Sequence, residues 1–212
     1  MRSRAELKID ARKKLNAYWK VPILVAIVII LISGLISLLQ EGSPTMSTVL
    51  SFLFSSVAGV YSSMLYLNIA KNDNLDPVEF SWMNVSKEKL LKCLIYSALM
   101  YIGTFLITFL SSVVGVLIAS LASIFIMILE VYLSFSILAI LDTDAPILNA
   151  IQISMDLVTG NFFKIIVFGL SFVGWFILGI LTMGIGLVWV LPYFSISFAN
   201  YYLELRRNKP MI

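Results

Sequence analysis

One acidic residue of this chain lies where an acid is unexpected. Glu130 interrupts the segment FIMILEVYLS, Phe125 to Ser134, which otherwise resembles the middle of a membrane helix. On insertion scales, the comparable aspartate at the centre of a membrane helix costs roughly 2.5–3.5 kcal/mol. No lysine or arginine lies in the interior of a predicted span to pair with it. We therefore expect Glu130 either to carry a proton or to face a polar cavity between helices.

Two interpretations of Glu130 follow from this setting. The functional one is a proton- or cation-coupled site, or an anchor for a cationic ligand. The structural one is a protonated acid that is hydrogen-bonded to a neighbouring helix, or a side chain that lies nearer the membrane surface than its position suggests. Both stay open at the level of the sequence.

Other polar side chains in apolar segments are weaker candidates for ligand binding: Asn68, Asn200, Tyr132 and Tyr193. The asparagines equally suit hydrogen bonds between helices. The tyrosines equally suit an aromatic belt or the core of a helical bundle. Pro192 removes a backbone hydrogen bond and is predicted to kink its helix, either as a gate or to shape a packing groove.

The composition excludes several kinds of chemistry. The chain has no histidine and one cysteine, Cys93, which excludes disulfides within the chain, Cys/His zinc sites and histidine-dependent triads. Cys93 is interpreted as a small buried apolar residue. There is no G-x-S-x-G motif and no pair of acids within one apolar segment. We expect no enzymatic activity, no cofactor and no metal.

The elements that position these residues are predicted to be membrane helices. The chain is 60% hydrophobic and 13% charged, with a mean hydropathy of +0.97, which indicates an integral membrane protein. Dividing the apolar segments by the thickness of the hydrocarbon core predicts an all-α polytopic bundle that forms a single transmembrane domain, 1–212. Its six spans are 21–39, 46–70, 92–112, 116–141, 163–182 and 186–205.

The basic residues support this six-span topology. All 15 lysines and arginines fall on one side of the six-span arrangement. The positive-inside rule then places both termini in the cytoplasm. The first span is predicted to be retained and not to be a cleaved signal peptide, because no A-x-A-like site follows it.

Short amphipathic helices are predicted at the cytoplasmic face, over 3–17 and 145–158, with a further helix start at the DPVE motif of 76–79. The basic amino-terminal helix is expected to attract anionic lipid. Lys20, Lys92 and Lys164 are evenly spaced, each at the foot of an odd-numbered span. This spacing indicates three repeats of helix plus hairpin, or the chance result of six spans of similar length.

Three stretches resemble an uncharacterised bacterial family of six-span membrane proteins, a domain of unknown function common in Firmicutes. They are RAELKIDARKKLNAYWK at Arg4–Lys20, ILAILDTDAPILNAIQIS at Ile137–Ser154, and the whole of Leu157–Arg206. The resemblance implies the bacterial cytoplasmic membrane and supplies no catalytic residue. The family often has a Pro-Gly pair and a basic residue early in its fourth span, whereas this chain has neither there and carries Glu130.

Two classes of function agree best with these features. The first is non-enzymatic ligand handling or transport of a small or lipid-like molecule, favoured by Glu130 and Pro192. The second is a non-catalytic membrane partner, such as an assembly, stress or immunity protein or a subunit of a larger complex. An intramembrane enzyme is the least favoured class. The expected partners are the lipid bilayer and a second copy of the chain or an unidentified membrane protein, but not nucleic acid.

Overall fold

The computed structural model describes residues 2–73 and 84–209, and within these residues the chain is helical and contains no strand. The all-α prediction is therefore confirmed for the described residues. The DPVE motif of 76–79 lies outside them. The described helices are α1 Arg4–Tyr18, α2 Lys20–Leu38, α3 Pro44–Lys71, α4 Lys87–Val114, α5 Val116–Leu133, α6 Ser136–Thr143, α7 Ile147–Val158, α8 Phe162–Leu170, α9 Val173–Leu181 and α10 Leu187–Asn208.

Among the described residues, five segments are long and apolar enough to cross a membrane. They are Lys20–Leu38, Pro44–Lys71, Lys87–Ser111, Val116–Thr143 and Phe162–Leu181. The sixth predicted span corresponds to α10, which does not qualify. This helix includes Asn200, Tyr201, Tyr202 and Glu204, all of them buried. The structure thus supports a membrane protein with five candidate spans and does not confirm six.

The chain divides into two compact units, although one transmembrane domain was predicted. The terminal unit comprises Met1–Ser86 and Phe168–Ile212, and the central unit comprises Lys87–Val167. This division does not follow the predicted threefold repeat, because the terminal unit takes its helices from both ends of the chain. The evenly spaced lysines also differ in their contacts: Lys92 pairs with Asp144 in a distant part of the sequence, whereas Lys164 donates to the nearby Asn161.

In the terminal unit, α10 packs against α1, α2, α3 and α9. Ser3 begins α1 as a full capping box with Glu6, at the start of the helix predicted over 3–17. The face of α1 that carries Leu7, Ala11 and Leu15 is buried. Because α3 and α10 cover this face, its apolar pattern is explained by packing within the protein. A hydrophobic cluster joins these three helices: Ala11, Leu15, Leu65, Tyr66, Ile69 and Ile196.

In the central unit, α4 and α5 form an antiparallel hairpin. The chain reverses at Gly115, whose φ of 129° is accessible to glycine and strained for other residues. After the hairpin, the helix is interrupted between the end of α5 and the start of α6. There the buried Ser154 of α7 donates its hydroxyl to the Tyr132 carbonyl at 2.7 Å and accepts the Phe135 N–H at 3.1 Å. One side chain thus satisfies a donor and an acceptor at the interruption.

Candidate ligand cavity and buried ion pairs

A cavity of about 360 Å³ lies in the terminal unit, between α1 and the α9–α10 hairpin. This volume is within the usual range for small-molecule sites. Most of its wall is apolar or aromatic: Leu15, Trp175, Leu178, Trp189, Val190 and Tyr193. Trp175, Leu178 and Trp189 are each about half exposed, so the cavity is open along one side.

The turn between α9 and α10 closes tightly and shapes the cavity. The Thr182 hydroxyl donates to the Gly179 carbonyl at 2.8 Å and accepts the Gly186 N–H at 2.9 Å. A Cβ atom added to Gly186 would lie 2.9 Å from the Gly179 Cα, so only glycine fits there without a shift of the backbone. The predicted break between the spans 163–182 and 186–205 falls at this turn.

Aromatic rings continue behind the cavity wall. Phe172 contacts Tyr193 edge-on, with 5.2 Å between the ring centroids, and Trp175 contacts Tyr193 at 6.1 Å. The Lys8 ammonium lies 3.9 Å from the centre of the Phe172 ring and donates to the Ser171 carbonyl at 2.9 Å. Ser171 lies where α8 ends and α9 begins, so Lys8 binds a carbonyl that the interrupted helix leaves free. Partial burial, and then the charge of Arg4, lower the pKa of the Lys8 ammonium.

The polar side of the cavity comes from α1, which contributes Arg12 and Asn16. Both residues are exposed. Within residues 2–73 and 84–209, no carboxylate forms an ion pair with Arg12. The cavity therefore combines an aromatic wall on α9 and α10 with an available guanidinium on α1. This arrangement suits an amphipathic molecule that has an anionic group.

A buried lysine joins α1 to the end of α3. The Lys14 side chain is 3% exposed, and its ammonium donates to the Ala70 carbonyl at 2.6 Å. It also pairs with Asp73 at 2.9 Å and with Asp10, one turn earlier on α1, at 3.3 Å. The hydrogen bond from Lys14 lowers the pKa of the Asp73 carboxyl below its usual value. The ammonium is thus surrounded by three oxygen acceptors.

A second ionic contact joins the beginning of α1 to the end of α10. The buried Glu204 carboxylate accepts two hydrogen bonds from Arg2, one from the backbone N–H at 2.8 Å and one from the side-chain Nε at 3.1 Å. Asn200 is also buried, and its amide donates to the Asp10 carboxylate at 3.0 Å. These contacts tie α1 antiparallel to α10. Asn200 thus forms a hydrogen bond between two helices, which was the predicted alternative to ligand binding for this residue.

Sequence reasoning missed the ionic role of Lys14, Asp10 and Glu204. The basic residues of the amino-terminal helix were assigned to membrane topology as a group, and neither Asp10 nor Glu204 was considered. The four-residue interval between Asp10 and Lys14 was a usable signal for an ion pair on one helix face. The partners Asp73 and Ala70 could not be found in this way, since they come from a distant helix.

The predicted site residues are dispersed, and only Tyr193 lines the cavity. Asn68 is half-buried on α3, and Pro192 is buried within α10, which continues as one helix through it. Tyr132 stacks on Phe162 with 5.4 Å between the rings. Glu130 is exposed on α5, and within the described residues its carboxyl has no hydrogen bond or ion pair. Among the described residues, the Glu130 carboxyl therefore has no hydrogen bond to a neighbouring helix. Glu130 also does not line the cavity between α1 and the α9–α10 hairpin.

Comparisons with known proteins locate a family resemblance in the second half of the chain. Comparison with curated proteins gave no match, and comparison with solved structures gave none. A family model described as a protein of unknown function (DUF975) matches residues 113–209. The match includes the two later stretches that resemble an uncharacterised family, and the opening stretch precedes it. The predicted resemblance to an uncharacterised family is therefore confirmed over residues 113–209.

Proposed function

We propose that the protein binds a lipid-like amphipathic molecule in the cavity between α1 and the α9–α10 hairpin, without catalysing a reaction on it. The observation that carries this proposal is the composition of the cavity wall. Trp175 and Trp189 offer apolar surface, and Arg12 offers a cation without an ion pair among the described residues. Tryptophan and arginine are typical of the level at which lipid chains meet their head groups.

In this proposal the apolar part of the molecule lies against α9 and α10, and its anionic group contacts Arg12. Asn16 supplies a further hydrogen-bonding group on the same helix. The open side of the cavity gives a membrane lipid direct access. The proposal also includes the bacterial cytoplasmic membrane as the location and cytoplasmic termini. Ligand handling, up to transport of the bound molecule, is the proposed role.

Native mass spectrometry of the delipidated protein in detergent tests the proposal, with phosphatidylglycerol as the anionic probe and phosphatidylcholine as the neutral one. We expect saturable binding of phosphatidylglycerol that Arg12→Gln weakens roughly fivefold, as about 1 kcal/mol per basic residue predicts. Lys13→Gln is the matched control, because it removes the same charge from an exposed neighbour that does not line the cavity. Equal losses in the two variants would contradict a specific role of Arg12.

The apolar wall has its own control. Trp189→Ala is expected to weaken binding of both lipids, because it removes a large apolar contact surface. Trp19→Ala removes an equally exposed tryptophan that does not line the cavity, and it should leave binding unchanged. Unchanged binding in Trp189→Ala would place the lipid elsewhere on the protein.

The alternative, a non-catalytic membrane partner, is favoured by a different observation. The exposed carboxyl of Glu130 lies in the central unit, on a helix that has no other charged residue. An exposed acid on a membrane helix favours a contact with another membrane protein. It does not bear on which small molecule the cavity binds.

A further inference from the structure

Glu130 faces outward from the central unit. It is exposed on α5, within the candidate membrane span Val116–Thr143. Within residues 2–73 and 84–209, its carboxyl has no hydrogen-bond or ion-pair partner. In a membrane the side chain would therefore meet lipid, where an isolated acid is strongly disfavoured. Lipid alone leaves this carboxyl unsatisfied.

Contacts between α4 and the α5–α6 segment show how deep Glu130 lies. Lys92 marks the polar end of the unit, where it pairs with Asp144 at 3.1 Å. Tyr96, one turn further along α4, donates its hydroxyl to the Leu133 carbonyl at 3.2 Å. Glu130 precedes Leu133 by nearly one more turn. At 1.5 Å per residue, Glu130 lies about 10 Å deeper than Lys92, well inside a hydrocarbon core of about 30 Å.

Small side chains on the same face of α5 as Glu130 allow another helix to approach closely. Ser120, Ser123 and Met127 precede Glu130 at intervals of three or four residues and are also exposed. The two serine hydroxyls bond to carbonyls of their own helix, those of Val116 and Ala119, at 2.9 Å. Small residues next to a polar one are typical of contacts between membrane helices.

A second copy of the chain does not provide a cation for this acid. The sequence has no lysine or arginine between Lys92 and Lys164, none between Lys20 and Lys71, and none between Lys164 and Arg206. No basic residue therefore lies inside one of these apolar segments, and a second copy offers no cation in the interior of a span. Charge complementarity thus requires a different protein.

We propose that the α5 face centred on Glu130 binds a transmembrane helix of another protein, one that carries a lysine or arginine at the matching depth. The carboxylate and the basic side chain pair within the membrane, and Ser120 and Ser123 allow the two backbones to approach. This site is independent of the lipid cavity, because its residues belong to the central unit and the cavity residues belong to the terminal unit.

Synthetic transmembrane peptides test the proposal with a defined partner. The probe is a leucine–alanine host helix with one lysine at its centre, labelled with an energy-transfer acceptor and mixed in vesicles with amino-terminally labelled protein. The same host with leucine at the centre is the control peptide. We expect the lysine peptide to bind roughly fivefold more tightly than the leucine peptide, in line with measured polar contacts between membrane helices.

Three protein variants distinguish the contribution of the Glu130 charge to peptide binding from the contribution of close helix packing. Glu130→Gln should abolish the preference for the lysine peptide, and Ser123→Leu should weaken binding of both peptides by blocking the approach. Glu41→Gln removes an acid from the turn between α2 and α3 and should change nothing. Equal binding of the two peptides by the unaltered protein would overturn the proposal. Energy transfer between two copies of the chain that Glu130→Gln abolishes would also overturn it, in favour of self-association.

Discussion

The buried charges of the terminal unit and Glu130 of the central unit are in opposite settings. In the terminal unit, Lys14 is enclosed by Asp10, Asp73 and a backbone carbonyl, and Glu204 accepts two bonds from Arg2. The Lys14 ammonium and the Glu204 carboxylate are buried and satisfied within the protein.

In the central unit, Glu130 is exposed and has no partner among the described residues. Charges of the first kind hold helices together, whereas a charge of the second kind is available to something outside the chain.

The largest expected effect concerns Lys14. Lys14→Met should lower the free energy of unfolding by about 2 kcal/mol, because it leaves the Ala70 carbonyl without its buried donor and removes the cation that pairs with Asp10 and Asp73. This figure is below the range for fully buried pairs, since the Asp73 side chain is 72% exposed. Chemical unfolding in detergent measures the change. Lys13→Met, at the exposed neighbouring position, is the control and should be nearly neutral.

The next effect concerns the interruption between α5 and α6. Ser154→Ala should lower the free energy of unfolding by about 1–2 kcal/mol, because the Tyr132 carbonyl and the Phe135 N–H lose their common partner. Ser120→Ala is the matched control, because that exposed hydroxyl bonds only to its own helix. Equal stability of the two variants would show that Ser154 does not hold the interruption.

A smaller effect is expected from the exposed partner of Lys14. The folded protein lowers the pKa of Asp73 below 3.8 through the hydrogen bond from Lys14. The stabilising contribution of Asp73 is therefore present above that value and is lost as the pH falls through the lowered pKa. Stability measured from pH 7 to about pH 3 should fall more steeply for the unaltered protein than for Asp73→Asn. In the Lys14→Met background this difference should shrink to the smaller part that Arg2 and Arg207 contribute. Its persistence at full size would assign the effect to another group.

The smallest expected effect concerns Glu130 itself. Glu130→Gln should change the free energy of unfolding in detergent by less than about 0.5 kcal/mol, because no contact within the described residues is lost. A loss as large as that of Lys14→Met would remove the contrast between the units. It would show that Glu130 has a partner inside the protein.

The sequence predicts the helices better than their arrangement. Apolar length placed the reversals at Gly115 and at Thr182–Gly186, because lipid thickness and glycine both limit a helix locally. The prediction of α10 as a sixth span is not confirmed. Its polar residues Asn200 and Glu204 bond to Asp10 and Arg2, which lie far away in the sequence. Pairings such as Lys14 with Asp73 depend on the tertiary fold and leave no periodic signal.

The candidate sites show the same limit. Glu130 was identified because an acid in an apolar segment is a local anomaly, and the structure finds it exposed on α5. The cavity was not predicted, because Arg12, Trp175 and Trp189 come from two ends of the chain. Arg12 was noted only as part of the basic amino-terminal helix that was expected to attract anionic lipid. No local pattern joins it to the tryptophans.

The most direct test of the contrast is the environment of position 130 in a bilayer. A spin label on Glu130→Cys, in a Cys93→Ala background in nanodiscs, reports its accessibility to oxygen and to a water-soluble nickel chelate. Val60→Cys provides a buried reference and Leu121→Cys an exposed one on the same helix. We expect position 130 to resemble position 121, with high oxygen and low nickel accessibility. Low accessibility to both reagents, as at position 60, would show that Glu130 is enclosed by protein and would contradict the account.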